Sequence, residues 1–227
     1  MPRPLSPRSK EALRGLVALE DAFEVDALPA ARRARASQTT ADPAARLAEL
    51  AHTAEQCTAC PLHRTRTRLV FGTGHARARL MFIGEAPGRE EDLQGKPFVG
   101  AAGQLLTKII ESIGLARDEV YIANILKDRP PGNRQPEPTE VAACFHWLEE
   151  QIAIIQPQVL CTLGRHAAMA LVDPAIAIMR TRGTWKEWRG IPLMPTLHPA
   201  YLLRNPDAKK LVWKDLKAVR DRLKTLA

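Results

Sequence analysis

Two kinds of side chain in this sequence are spaced for chemistry. Cys57-Thr58-Ala59-Cys60 is a Cys-x-x-Cys pair, which closes a small loop and can offer two thiolates to one metal centre. The same spacing serves redox dithiols, but those follow a strand in a βαβ pattern, and here a helical pattern precedes it. The second kind is acidic: Glu85 stands in Gly84-Glu85-Ala86-Pro87-Gly88, and Glu90, Glu91 and Asp92 follow. Pro87 fixes one φ, and the glycines let the backbone approach a ligand closely. Such a stretch is either a solvated loop or the rim of a pocket. Phe98 lies just beyond it, between Pro97 and Val99-Gly100. Further on, Asn124 is the one fully polar member of an apolar run, and His198 follows another. A buried amide left unpaired costs ~1–3 kcal/mol. Asn124 therefore bonds a neighbouring loop or presents a donor and an acceptor together to a ligand.

These residues need elements to position them. Leu80-Met81-Phe82-Ile83, Val120 to Leu126, Val159 to Leu163 and Ile191 to Thr196 are short apolar runs that suit buried strands. Helical patterns separate them, over Gly103 to about Ile113, Thr139 to about Ile155, and a stretch carrying Ala167, Ala168, Ala170 and Leu171. Another helix, near Pro43–Gln56, leads into Cys57. Asp207 is placed as the cap of a final basic amphipathic helix containing Leu211, Val212, Leu216, Val219 and Leu223. Thr181 to Gly190 reads as a hairpin or irregular ribbon, and His166 as a satisfied or exposed histidine rather than a ligand. Alternating strands and helices imply an α/β fold, a three-layer sandwich with a central four-stranded parallel sheet flanked by helices. Glu85 with Glu91, Asn124 and His198 then stand at the ends of strands one, two and four. Three polar sites at one sheet edge predict a pocket there.

Residues 1–45 read as a separate N-terminal extension. Ser9 could cap a helix over Glu11–Phe23, and a linker rich in Ala, Arg, Ser and Thr follows from Ala30 to Asp42. The remainder, 46–227, reads as one domain. Hydrophobic residues make up 45% of the chain and charged residues 26%, enough for a packed core and too apolar for wholesale disorder. No apolar run approaches the ~20 residues that span a bilayer, and the N-terminus lacks the apolar core of a secretory signal. The expected compartment is the cytoplasm, where cysteines stay reduced or bind metal. The net charge is +8, and the last 48 residues carry 12 basic and 4 acidic side chains. A basic face of that kind suits a polyanion, most naturally nucleic acid.

GEAPG, GKPFVGAAGQLL, RPPGNRQP and HPAYLLRNP, with Cys-x-x-Cys upstream, make the chain similar to the family 4 uracil-DNA glycosylases, the iron–sulfur members of a wider superfamily. The resemblance covers about residues 50–225. It implies an enzyme that flips uracil out of DNA and hydrolyses its N-glycosidic bond, leaving an abasic site. A non-catalytic module that grips uracil or abasic DNA is the alternative. By position, His198 resembles the histidine that stabilises charge building on uracil O2, and a preorganised donor there is worth ~3–4 kcal/mol. Asn124 resembles the asparagine that reads uracil's amide edge, and Phe98 the aromatic that stacks on the flipped base. Backbone groups of Glu85 and Ala86 are expected on the base as well. Many superfamily members carry an aspartate where Ala86 stands, and Glu91 resembles the glutamate proposed to take over. Leu202 matches the wedge that fills the vacated stack, and Arg204 a phosphate contact. A monomer is expected, with residues 1–45 available to an unknown protein partner.

The resemblance also implies a [4Fe–4S] cluster on four cysteines. Cys57, Cys60 and Cys144 match three of them, but Asp128 stands where the remaining one belongs. Asp128 could ligate through its carboxylate, or the site could hold three irons or zinc, or have lost its metal. Cys161 lies inside the third apolar run and reads as a buried inert thiol rather than a replacement.

Overall fold

A computed structural model describes residues 42–226. The Ser9-capped helix and all of the linker up to residue 41 lie outside the described residues. The elements run α1 (Pro43–Glu55), β1 (Thr73–Gly74), β2 (Leu80–Gly84), α2 (Arg89–Gln94), α3 (Ala101–Ser112), β3 (Tyr121–Asn124) and α4 (Pro138–Ile155). They continue with β4 (Val159–Leu163), α5 (Arg165–Leu171), α6 (Ile178–Thr181), β5 (Lys186–Trp188), β6 (Ile191–Thr196), α7 (Pro199–Arg204) and α8 (Lys209–Thr225).

The sheet has six strands in the order β1-β3-β2-β4-β6-β5, not four. The inner four, β3, β2, β4 and β6, are mutually parallel and are the four apolar runs. The additional two are edge strands. β1 pairs antiparallel with β3, and β5 pairs antiparallel with β6 across the turn at Arg189 and Gly190. Three residues or fewer, half-exposed and without an apolar run, give such strands little signal in the sequence.

Successive side chains of a strand face opposite ways, so both sheet faces are apolar. Met81 and Ile83 of β2 pack with Leu50, Leu148 and Ile152 of α1 and α4. Leu80 and Phe82 pack with Leu106, Ile110, Leu216 and Val219 of α3 and α8. That is the three-layer arrangement. Cys161 lies fully buried within the second face. α8 begins after a 3₁₀ turn at Pro206–Ala208, and the residue before it, Ala208, is already helical and offers no side-chain cap. Asp207 is therefore not the cap. Asp215, on the inner face of α8, instead accepts from Thr196 Oγ1 at 2.6 Å and from Arg182. This fastens the basic helix to β6.

The parallel register brings the carboxyl ends level. Gly84 sits opposite Asn124, and Leu163 opposite Thr196. Pairing runs on past the strands: Ile125 N–H donates to Gly84 O, and Leu126 N–H to Glu85 O. Among the described residues, no helix is long and apolar enough to cross a membrane.

Candidate active site

The edge formed by those strand ends opens into a cavity of about 500 Å³. Glu85, Ala86, Glu91, Phe98, Asn124, His198 and Arg204 all line it. The residues predicted to bind and act on a base are thus together except Leu202, while the predicted metal ligands Cys57, Cys60, Asp128 and Cys144 do not line this cavity.

Asn124 ends β3 and is 1% exposed. Its Oδ1 has no hydrogen-bond partner among the described residues. The first alternative, a bond to a neighbouring loop, is therefore not what this oxygen does. Gly84 makes room for it, since a Cβ there would lie 2.3 Å from Asn124 Oδ1 and 2.6 Å from the Phe98 ring. Phe98 adopts a left-handed backbone, φ 53°, uncommon for a bulky residue. Two contacts hold it: Gly103, where any Cβ would strike the Phe98 carbonyl, and Arg117, which donates to Pro97 O at 2.8 Å and Phe98 O at 2.9 Å. The Phe98 ring lies 5.6 Å from that of His198, centroid to centroid.

His198 precedes α7 and accepts the Ala200 N–H on Nδ1 at 3.1 Å. A backbone amide can only donate, so Nδ1 carries the lone pair and Nε2 the proton in the neutral ring. Burial pulls the His198 pKa down to about 4, with Arg204 and His166 adding to the effect and Glu91 opposing it. The ring is thus neutral near pH 7.

The acidic stretch is a helix, α2, rather than a loop. Glu91 on its first turn accepts the N–H groups of Val99 and Gly100 on Oε1, at 2.9 and 3.0 Å. Those amides lie just before the first residue of α3, near its positive end, where a carboxylate is favoured. One carboxylate oxygen is thereby fixed and the other is left for the cavity. Glu85 pairs with His166 Nδ1 at 2.7 Å. His166 is satisfied, as its sequence suggests, but by a cavity residue 81 positions away. Its place directly after β4, at the same sheet edge, is the one signal that could have marked it. Arg117 had none, since nothing local ties it to Phe98.

Leu202 is 1% exposed and packed in the core under α3, so it is not an exposed wedge. α7 turns its neighbour Leu203 outward, 47% exposed.

Cys57, Cys60 and Cys144 lie on the face of the sheet covered by α1 and α4. Cys57 and Cys60 pack with Cys144 in one apolar cluster. The Lys127 N–H donates to Cys144 Sγ at 3.3 Å, the type of contact by which a protein tunes cluster sulfurs. Burial pushes the Cys144 thiol up to about 11, with Lys127 opposing and the charges of Asp128 and Cys60 adding. Cys144 thus has an amide aimed at its sulfur, but the three thiols are not gathered into one site. Asp128 does not fit as a ligand. Both its oxygens accept from Arg66 Nη1 at 3.1 Å. Among the described residues, no three His, Cys, Asp or Glu side chains are gathered as a site for a metal ion.

Comparison with known proteins identifies the family. A family model described as the uracil DNA glycosylase superfamily matches residues 71–217. The chain is 45% identical over 174 residues to a type-4 uracil-DNA glycosylase of Thermotoga maritima, covering 75% of this chain and 91% of that one. It is 44% identical over 174 residues to the type-4 enzyme of Sulfurisphaera tokodaii, covering 73% and 79%. A type-5 uracil-DNA glycosylase of Thermus thermophilus is 32% identical over a shorter stretch, 46% of this chain and 54% of that one. At this degree of identity and coverage, the chain belongs to the type-4 uracil-DNA glycosylases.

Proposed function

We propose that this chain is a monofunctional uracil-DNA glycosylase, which takes an everted uracil into the cavity beside Asn124 and hydrolyses its N-glycosidic bond. The observation that carries this reading is the unpartnered, buried Oδ1 of Asn124, a residue that lines the same cavity as Phe98 and His198. Uracil carries N3–H and O4 side by side. Oδ1 accepts the first and Nδ2 donates to the second. Cytosine has no N3–H and presents a donor in place of O4, so it leaves both amide atoms mispaired, a mismatch that rejects by large factors. Phe98 supplies the stacking face.

Breaking the bond leaves electrons on uracil, shared between N1 and O2, and positive charge on the sugar. His198 Nε2–H, proton-bearing and neutral, donates to O2 as that charge grows. The free oxygen of Glu91 faces the sugar, where its charge favours the oxocarbenium-like state. It also orients the water whose oxygen bonds C1′, and the proton released neutralises the departing base. Glu85, held by His166, fixes the backbone that touches the base. Leu203, not Leu202, is the apolar side chain placed to fill the vacated stack. Arg204 at the mouth, and Lys209, Lys210, Lys214 and Lys217 exposed on α8, hold phosphates. An iron–sulfur centre of the kind the family resemblance implies would have Cys57, Cys60 and Cys144 as its protein ligands.

The test is a labelled oligonucleotide with one uracil, incubated with the chain and then treated with alkali. Scission at uracil only after alkali, and none at cytosine, is expected. Tight binding with no alkali-labile site at stoichiometric protein would instead make the chain a binding module.

A further inference from the structure

We propose that the Arg66–Asp128 ion pair takes the structural place of a fourth metal ligand, fastening the cysteine loop to the catalytic half of the domain by protein contacts alone. Arg66 follows the 3₁₀ turn that begins after Cys60. Its Nη1 meets both Asp128 oxygens at 3.1 Å, and its Nη2 donates to the carbonyl of Glu55 at the end of α1. One guanidinium therefore joins three segments: the helix that delivers Cys57, the loop after Cys60, and the loop after β3. The same segments carry Cys57, Cys60 and the position matching the missing cysteine.

The pair is shielded, with side chains 14% and 7% exposed. An arginine cannot give up its proton, so Asp128 would have to abandon a permanent cation before it could bind iron. Removing either partner leaves a charge without its counterpart in a largely buried site. The next residue continues the link. Thr67 donates its N–H and its hydroxyl to Asp92 in α2, both at 2.8 Å, and Asp92 adjoins Glu91. From the cysteine loop to the catalytic carboxylate, every connection is thus made by protein groups.

The test reads metal content and melting of the full chain, so its outcome is separate from that of the glycosylase reading. Iron, zinc and acid-labile sulfide are counted in protein purified without oxygen. Melting is followed with and without a strong chelator under reducing conditions. Chelation is expected to move the wild-type Tm by less than about 2 °C, whereas Arg66→Ala and Asp128→Ala each lower it by roughly 6 °C or more. The double variant should fall no further than the worse single one, because the two residues act as a unit. Asp128→Cys should raise bound iron to about four per chain and make Tm chelator-sensitive. The wild-type chelation result stands even where an alanine variant fails to fold. A wild-type Tm that collapses on chelation overturns the proposal. So do alanine variants that melt with the wild type, or a D128C variant that gains no iron.

Discussion

At the scale of single residues, the chemistry rests on an imidazole kept neutral and an amide kept unpaired. Asn124→Asp replaces the donor to uracil O4 by an acceptor. It should lose at least about 100-fold in uracil excision and gain measurable excision of cytosine, whose amino group it can accept. The assay is alkali scission of matched uracil and cytosine oligonucleotides. The His198 pKa, lowered from 6.5 to about 4, also fixes a sign for stability. Between those values the unfolded chain binds a proton that the folded chain refuses. Stability from this group is therefore full above pH 6.5 and lost as pH falls toward 4, by about 3 kcal/mol. Denaturant unfolding across that window should show this loss in the wild type and not in His198→Asn. Asn124 and His198 were legible in the sequence because one is the only fully polar member of an apolar run and the other follows such a run. The pairing of His166 with Glu85 was not, because nothing local links residues 81 positions apart. Leu202 and Leu203 are adjacent and chemically alike. Only the rotational phase of α7 decides which is buried, and the sequence pattern of a six-residue helix does not set that phase.

At the scale of elements, the sheet edge works because short connections end where carboxylates and amides meet. α2 is only six residues long, too short for a periodic signal, yet it carries both Glu91 and Asp92. Glu91 holds the two amides just before α3, and Asp92 ties α2 to the cysteine loop. Thr67→Val removes the hydroxyl bond to Asp92 while keeping the volume, so α2 should loosen without losing the cavity. The expected result is a kcat lower by about tenfold with KM nearly unchanged, since a small misplacement of a catalytic group costs rate more than binding. In an Glu91→Gln background the same substitution should add little. The four inner strands were legible as unbroken apolar runs, and the register follows from them. Of the two edge strands β1 was missed and β5 lies in the stretch read as a hairpin or irregular ribbon, because residues with one solvated face and two or three positions carry no apolar run. The end of the chain shows the same limit: Asp207 is of a capping type, but Pro206 draws it into a 3₁₀ turn.

At the scale of the whole molecule, charge is sorted by the fold. α8 turns its one fully buried carboxylate, Asp215, inward onto Thr196 and Arg182, and its lysines outward. The basic excess seen in the last 48 residues is thereby presented to solvent, suited to a polyanion. Binding of uracil-containing DNA should weaken steeply and linearly in log salt, and Arg204→Ala should reduce that slope by about one. Fluorescence titration at several salt concentrations checks this. The central claim is that His198 donates to a uracil held in this cavity as the glycosidic bond breaks. Its most direct test is the single-turnover rate of uracil release by His198→Ala at saturating protein, compared with the wild type. A rate lower by about 100- to 1,000-fold with DNA affinity retained is the predicted result; a rate equal to the wild type's would contradict it.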